Sequence, residues 1–146
     1  MPPKKKAPRC KDCPEGVRRP APYPGPRCAT HHREEQKRRR AAAHERAVQN
    51  TYGLAPGDYE KLYRFQGGRC AICQRGKGIT KRLAVDHDHK CCAGSVSCGR
   101  CVRGLVCGRC NSFLAHARDE LDFFIRAHTY LFNPPARRLK SGDTSS

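Results

Sequence analysis

Tryptophan is absent, methionine occurs once, at position 1, and only 37% of the 146 residues are hydrophobic even with eleven cysteines counted among them. A chain of this size with so few bulky side chains cannot enclose a generous core, and it needs staples such as metals or disulfides. No apolar run approaches the roughly 20 residues of a membrane span, which predicts no membrane partner. No apolar segment follows the basic start Met1–Arg9, which predicts no secretory signal and a cytoplasmic location. Acidic residues are scarce as well. Thirteen Asp and Glu stand against thirty Lys and Arg, leaving a net charge of +17. A field of that size draws polyanions, and nucleic acid is the obvious partner.

The cysteines supply the staples. In a reducing compartment they stay as thiols, and eleven is an odd number, so complete internal pairing is excluded. Several fall in C-x-x-C pairs, the spacing of zinc knuckles. Cys70–Cys73 and Cys107–Cys110 are two such pairs with 33 residues between them. Together they can offer four thiolates to a structural zinc at about 2.3 Å. Cys10, Cys13, Cys28 and His31 follow the pattern C-x2-C-x14-C-x2-H, with His32 a rival for the last place. Cys98–Cys101 is a further half-knuckle, and Cys91-Cys92 or His89 could complete a third site. One to three structural zinc ions are therefore expected.

Between these knuckles the chain organises as follows. Residues 1–9 form a Pro/Lys-rich arm expected to be disordered, and residues 10–32 an N-terminal zinc knuckle. Residues 33–55 make a basic linker, most of it within a Pro- and Gly-free helical stretch from Ala29 to Asn50 with almost no apolar stripe. Its run Lys37, Arg38, Arg39 and Arg40 suits DNA phosphates, and the plainer reading is a solvated spacer. Residues 56–133 form the main domain. A short helix starts near Pro56, buries Tyr59, Leu62 and Tyr63, and ends at Gly67-Gly68. Leu83–His87 and Val102–Val106 read as strands, and Asn111 opens a helix. Asp119 is the expected N-cap of a last helix that Asn133-Pro134-Pro135 stops. Residues 134–146 form a polar tail, expected to fray.

The chemistry clusters at the end of the first strand, in Asp86-His87-Asp88-His89. Alternation puts Asp86 and Asp88 on one face and His87 and His89 on the other, unless the strand bends. A carboxylate on Asp86 and an amide oxygen on Asn111 are hard donors, suited to Mg²⁺ or Mn²⁺. A neutral imidazole on His87 can take a proton from water. Arg103, on the second strand, can fork onto phosphate. The rival reading makes the histidines extra zinc ligands and Asn111 a helix cap.

Three segments carry a resemblance. Gln66-Gly-Gly-Arg-Cys-Ala-Ile-Cys73, Leu83-Ala-Val-Asp-His-Asp-His89 and Val102-Arg-Gly-Leu-Val-Cys-Gly-Arg-Cys-Asn111 resemble, in order and spacing, the phage recombination endonuclease VII family. The resemblance implies a small zinc-stapled α+β fold with a ββα-metal (His-Me finger) core, flanking helices and the N-terminal knuckle. It implies Asp86 and Asn111 as ligands of a catalytic Mg²⁺ or Mn²⁺, His87 as general base, and His89 beside the active site. Cys70, Cys73, Cys107 and Cys110 take the structural zinc. The implied activity is an HNH-type DNA endonuclease that cuts branched DNA such as Holliday junctions as a homodimer, in a phage-infected or lysogenic cell. A nonspecific or sequence-biased nickase shares the same active site. A non-catalytic zinc-finger DNA-binding regulator would need the knuckles and the basic helix, but not Asp86, His87 and Asn111.

Overall fold

The computed structural model describes residues 8–141. Most of the expected basic arm, and residues 142–146 of the expected tail, lie outside the described residues. The chain divides into two compact units, Met1–Gln49 and Asn50–Ser146.

In the first unit, isolated bridges pair Arg9 with Pro20 and Tyr23 with Arg27, and they bring Cys28 back beside Cys10. The tight turn between Tyr23 and Arg27 needs Gly25, whose φ is +91°. Its core is the knuckle itself: Cys10, Ala21 and Cys28 are buried, with Cys13 packed against them. Helix α1, Ala29–Tyr52, follows Cys28 directly and puts His31 in its first turn. Val48 is its one buried residue, as the missing apolar stripe foretold.

In the second unit, α2 (Asp58–Phe65) starts after Gly57 and buries Tyr59. Gly67 and Gly68, at φ +66° and +68°, turn the chain out of it. Strands β1 (Ala84–His87) and β2 (Val102–Val106) pair antiparallel as a two-stranded sheet. Asp86 faces Gly104 and His87 faces Val102, so Arg103 is the extra residue of a bulge. Helix α3 (Gly108–His116) lies beside β1. The core here is small: Tyr59, Leu83, Val85, Leu105 and Val106, with Cys70 and Cys110 from the knuckle. Each large side chain contributes about 1.5–3 kcal/mol on burial. Five of them make a thin core, and the cysteine cluster joins it at its edge.

Two expectations about the C-terminal part are corrected. Helix α4 (Leu121–Phe132) is preceded by Glu120, not by a capping Asp119, and no side chain caps it. Asp119 sits at φ +55°, outside the extended geometry a cap requires, and its carboxylate binds Arg103 instead. Beyond α4 the chain does not fray at once: Pro135–Ser141 form α5. Proline is accommodated at a first helical position, so the pair Pro134-Pro135 stops one helix and starts another. Among the described residues, no helix is long and apolar enough to cross a membrane.

Candidate active site and metal centres

The knuckle pairs close on each other. Cys70, Cys73, Cys107 and Cys110 place their sulfurs within 4.8 Å of one another, as do Cys91, Cys92, Cys98 and Cys101. The third group is Cys10, Cys13, Cys28 and His31. His31 Nδ1 lies 3.2, 3.5 and 3.4 Å from the sulfurs of Cys10, Cys13 and Cys28, while His32 stacks on Tyr23 instead. Ligands 2.3 Å from a tetrahedral zinc are about 3.8 Å apart. Cys73 and Cys107 are 3.8 Å apart, and Cys13 and Cys28 are 4.0 Å apart. A disulfide would need about 2.05 Å, so these are thiol clusters spaced for a metal.

Electrostatics point the same way. In each cluster one thiol is pulled to about 6. For Cys73 the backbone N–H of Gly76 does this, helped by Arg75; for Cys98 the N–H of Arg100 leads. Burial works against Cys10, but the N–H of Cys28 and the His31 side chain outweigh it. Another thiol in each cluster is pushed up. Cys13 rises to about 11 and Cys110 to about 12 through burial and neighbouring thiols, and Cys91 rises to about 12 through Cys98 and Cys101. Like charges crowded in one place cannot all ionise unaided, and a divalent cation removes that conflict. All three groups could therefore hold structural zinc.

The central knuckle is fastened to the sheet. Gln66 Nε2 donates to Leu105 O at 2.9 Å, and Gln66 Oε1 accepts from Leu105 N at 2.8 Å, as a neighbouring strand would. Ala71 N also donates to Leu105 O, at 3.0 Å. Gly76 must be glycine, because a Cβ there would meet the Cys107 Cβ at 2.6 Å. The Gln66-Gly-Gly-Arg-Cys segment thus presses the first knuckle half onto β2, whose end carries the second half.

That clamp positions the end of β1. Asp86 and His87 are both buried, at 7% and 5% exposure, although both are polar. Asp86 is gripped by Arg103, with Nε to Oδ2 at 2.7 Å and Nη2 to Oδ1 at 3.0 Å. Arg103 Nη2 also donates to Asp119 Oδ1 at 3.0 Å. The two carboxylates, Asp86 foremost, raise the Arg103 pKa and fix its charge. A cleft of about 260 Å³ opens beside this group, walled in part by Ile72, Leu114 and Phe124.

His87 meets different neighbours. Its Nε2 lies 3.2 Å from both Cys92 O and Gly94 O. Its ring sits 5.9 Å from Tyr52 and 4.5 Å from His89. The two rings are therefore neighbours although β1 ends at His87 and His89 lies in the turn beyond it, while Asp88 accepts from Lys90 N at 2.9 Å. Carbonyl oxygens only accept, so in the neutral ring Nε2 carries the proton and Nδ1 keeps the lone pair.

The remaining sequence candidates are more dispersed. Asn111 stands exposed in the first turn of α3, with its N–H on Cys107 O at 2.9 Å. Among the described residues no hydrogen bond joins it to Asp86 or His87. Lys37, Arg38, Arg39 and Arg40 are all exposed on α1. Asp119 and Tyr52 lie beside the candidate site and Gln66 braces β2, and the motif reading gave none of the three a role there. Asp119 carries no sequence signal for this contact, being brought to Arg103 by a left-handed turn at Arg118-Asp119.

These features define a class: a small α+β domain stapled by cysteine clusters, with a buried acid–imidazole pair at a bulged hairpin in a strongly basic chain. The recombination endonuclease VII family profile matches residues 45–133. A protein named Gene 59 protein from Mycobacterium phage L5 is 50% identical over 131 residues, covering 87% of this chain and 75% of the phage protein. Gene 59 protein of Mycobacterium phage D29 is 48% identical over 131 residues, covering 87% and 74%. The chain belongs to the recombination endonuclease VII family, and membership implies a nuclease acting on DNA.

Proposed function

We propose that this protein is a metal-dependent endonuclease of the HNH type, built on a ββα-metal core of β1, β2 and α3. It hydrolyses phosphodiesters in branched DNA such as Holliday junctions. The observation that carries the reading is His87: buried, held by two carbonyl oxygens through Nε2, and left with a basic Nδ1 next in sequence to a buried carboxylate.

Asp86 and Asn111 offer hard oxygen donors on facing elements, and these fit Mg²⁺ or Mn²⁺ better than a thiolate cluster does. Such an ion would neutralise charge on the scissile phosphate and the leaving 3′ oxygen. His87 Nδ1 takes the proton of the attacking water as its oxygen bonds to phosphorus and the P–O3′ bond breaks. Arg103 holds Asp86 and keeps Nη1 for a phosphate. His89 lies close enough to contact the same backbone. The basic face of α1 binds flanking phosphates. A homodimer would let two such sites nick paired strands of a junction.

The test is a gel assay on zinc-loaded protein with supercoiled plasmid and a synthetic four-way junction, with and without Mg²⁺ or Mn²⁺, beside His87→Ala. Metal-dependent cutting lost in the variant supports the reading, and a preference for the junction supports its substrate. Equal cutting of plasmid and junction would make the enzyme a less selective nickase. Binding without cutting in either metal would leave a DNA-binding module.

A further inference from the structure

The loop joining β1 to β2, residues 88–101, has almost no core of its own: Ser97 is its one buried residue. A segment of that length without apolar burial stays mobile unless something else orders it. Two attachments are visible. Ser97 N donates to Thr51 O at 2.7 Å. Gly99, at φ +83°, backs onto Gly53 so closely that a Cβ would meet Gly53 O at 2.6 Å.

Four thiols of the loop also converge. Cys91 and Cys98 are 3.8 Å apart, Cys98 and Cys101 are 3.9 Å apart, and Cys91 and Cys92 are 4.0 Å apart. Adjacent cysteines can reach one point only through a sharp bend. Asp88 supplies it, since its carbonyl accepts from both Cys91 N and Cys92 N at 3.1 Å. The spacing matches the edges of a zinc tetrahedron and is far from a disulfide.

This same loop carries the carbonyl oxygens that face His87, those of Cys92 and Gly94. Cys92 thus offers its sulfur to the cluster and its backbone oxygen to the imidazole.

We propose that Cys91, Cys92, Cys98 and Cys101 form a third zinc site, and that its metal positions His87 by fixing the Cys92–Gly94 backbone. The metal orders the two acceptors, the acceptors fix the proton on Nε2, and Nδ1 is left as the base. The second half of this inference rests on reading His87 as that base. The four cysteines are positioning residues, remote from the reacting atoms.

Native mass spectrometry of the full-length protein should find three zinc ions, with three retained in His87→Ala and two in Cys98→Ser/Cys101→Ser. In that double variant the ¹⁵N spectrum of the His87 ring should lose its fixed Nε2–H tautomer. Cutting should fall about a hundredfold, the scale of a misplaced general base, at unchanged DNA affinity. The cluster is also the most exposed of the three, so brief chelation of the wild type should remove its ion first, with the same loss of the His87 signature. That second measurement applies even if the double variant fails to fold. A wild type holding two zinc ions with these four thiols free would overturn the site. A double variant that holds two ions and keeps the His87 tautomer and rate would overturn the positioning. Wild-type protein that cuts no DNA would sink the nuclease reading alone, and the zinc count and ring signal would still decide the clamp.

Discussion

Arg103 holds Asp86 through the Nε–Nη2 edge of its guanidinium, at 2.7 and 3.0 Å, and the same Nη2 reaches Asp119 at 3.0 Å. Asp86 is nearly buried, whereas about a third of the Arg103 side chain is exposed. The pair does two things. It neutralises a carboxylate that would otherwise sit desolvated, and it places a positive charge where the proposed divalent cation on Asp86 would approach. In Arg103→Gln the first role is lost, and the zinc-loaded protein without Mg²⁺ should be destabilised by about 2 kcal/mol, below the full cost of breaking a buried pair because of the solvent exposure. The second role is lost too. Repulsion between a unit charge and a divalent ion a few ångströms apart is worth well over 1 kcal/mol near a protein surface, so half-saturation by Mg²⁺ should need about tenfold less metal or lower. Denaturation of the zinc-loaded protein without added Mg²⁺ and a Mg²⁺ titration of cutting read the two effects separately. An unchanged Mg²⁺ requirement would mean that Arg103 leaves Asp86 when the metal arrives.

The buried imidazole gives a second prediction. His87→Ala should lose cutting by about 10²–10⁴-fold, the contribution of a positioned general base, with junction affinity unchanged. His89→Ala should lose less, because the His89 ring is exposed and has no fixed hydrogen-bond partner among the described residues. A rate for His87→Ala within threefold of wild type would remove His87 from the chemistry.

The two compact units should fail separately. Cys13→Ser strips the cluster that serves as the core of Met1–Gln49, because little else is buried there. Structural zinc sites supply folding energy outright, so this unit should become open to protease while Asn50–Ser146 stays protected. Cys73→Ser should do the reverse and abolish cutting. Limited proteolysis with mass mapping distinguishes the two, and simultaneous loss of both units in Cys13→Ser would show that they fold as one.

Much of this architecture is legible in the sequence because the elements are marked by local chemistry. The Pro- and Gly-free run after Cys28 gives α1, Gly67-Gly68 ends α2, and C-x-x-C spacing pairs Cys70–Cys73 with Cys107–Cys110. Other features depend on long-range geometry and leave no local trace. The bulge at Arg103 turns a phosphate-binding candidate onto Asp86. Asp119 has the residue type and place of a helix cap, yet its positive φ makes it a partner of Arg103. Cys91 and Cys92 meet one point because Asp88 O takes both their N–H groups, a bend that spacing alone does not specify.

On α1, Glu35 serves three arginines. Its carboxyl is held down to about 2 by Arg38 first, then Arg39, with Arg27 3.9 Å away. A carboxylate whose folded pKa lies below its ordinary 4.5 contributes stability that is complete above that value and lost as pH falls through about 2. The ¹³C signal of the Glu35 carboxyl should therefore stay flat from pH 7 to 4, where an ordinary glutamate is mostly protonated. In Arg38→Ala/Arg39→Ala the titration should return toward the ordinary range. A wild-type signal that already moves at pH 5 would show that these pairs do not persist in solution.

The same helix sorts its charges by face. Arg38 and Arg39 bind Glu35 three and four residues back, so one side of α1 is ion-paired. Residues 33, 37 and 40 fall at i, i+4 and i+7 and share another side. Arg33, Lys37 and Arg40 are exposed there and have no ion pair among the described residues. Charges already neutralised within the protein release fewer counterions on binding DNA than free ones do. Each phosphate neutralised contributes about 0.9 to the slope of log affinity against log salt. Lys37→Ala/Arg40→Ala should therefore flatten that slope by nearly 2, and Arg38→Ala/Arg39→Ala by clearly less. Binding isotherms on one junction from 50 to 300 mM salt, over which the Debye length shrinks from about 14 to about 6 Å, measure both. Equal and negligible changes would make α1 a solvated spacer and move the DNA contacts to the second unit. A larger effect from Arg38 and Arg39 would mean that DNA displaces Glu35 and that the ion-paired face is the one that binds.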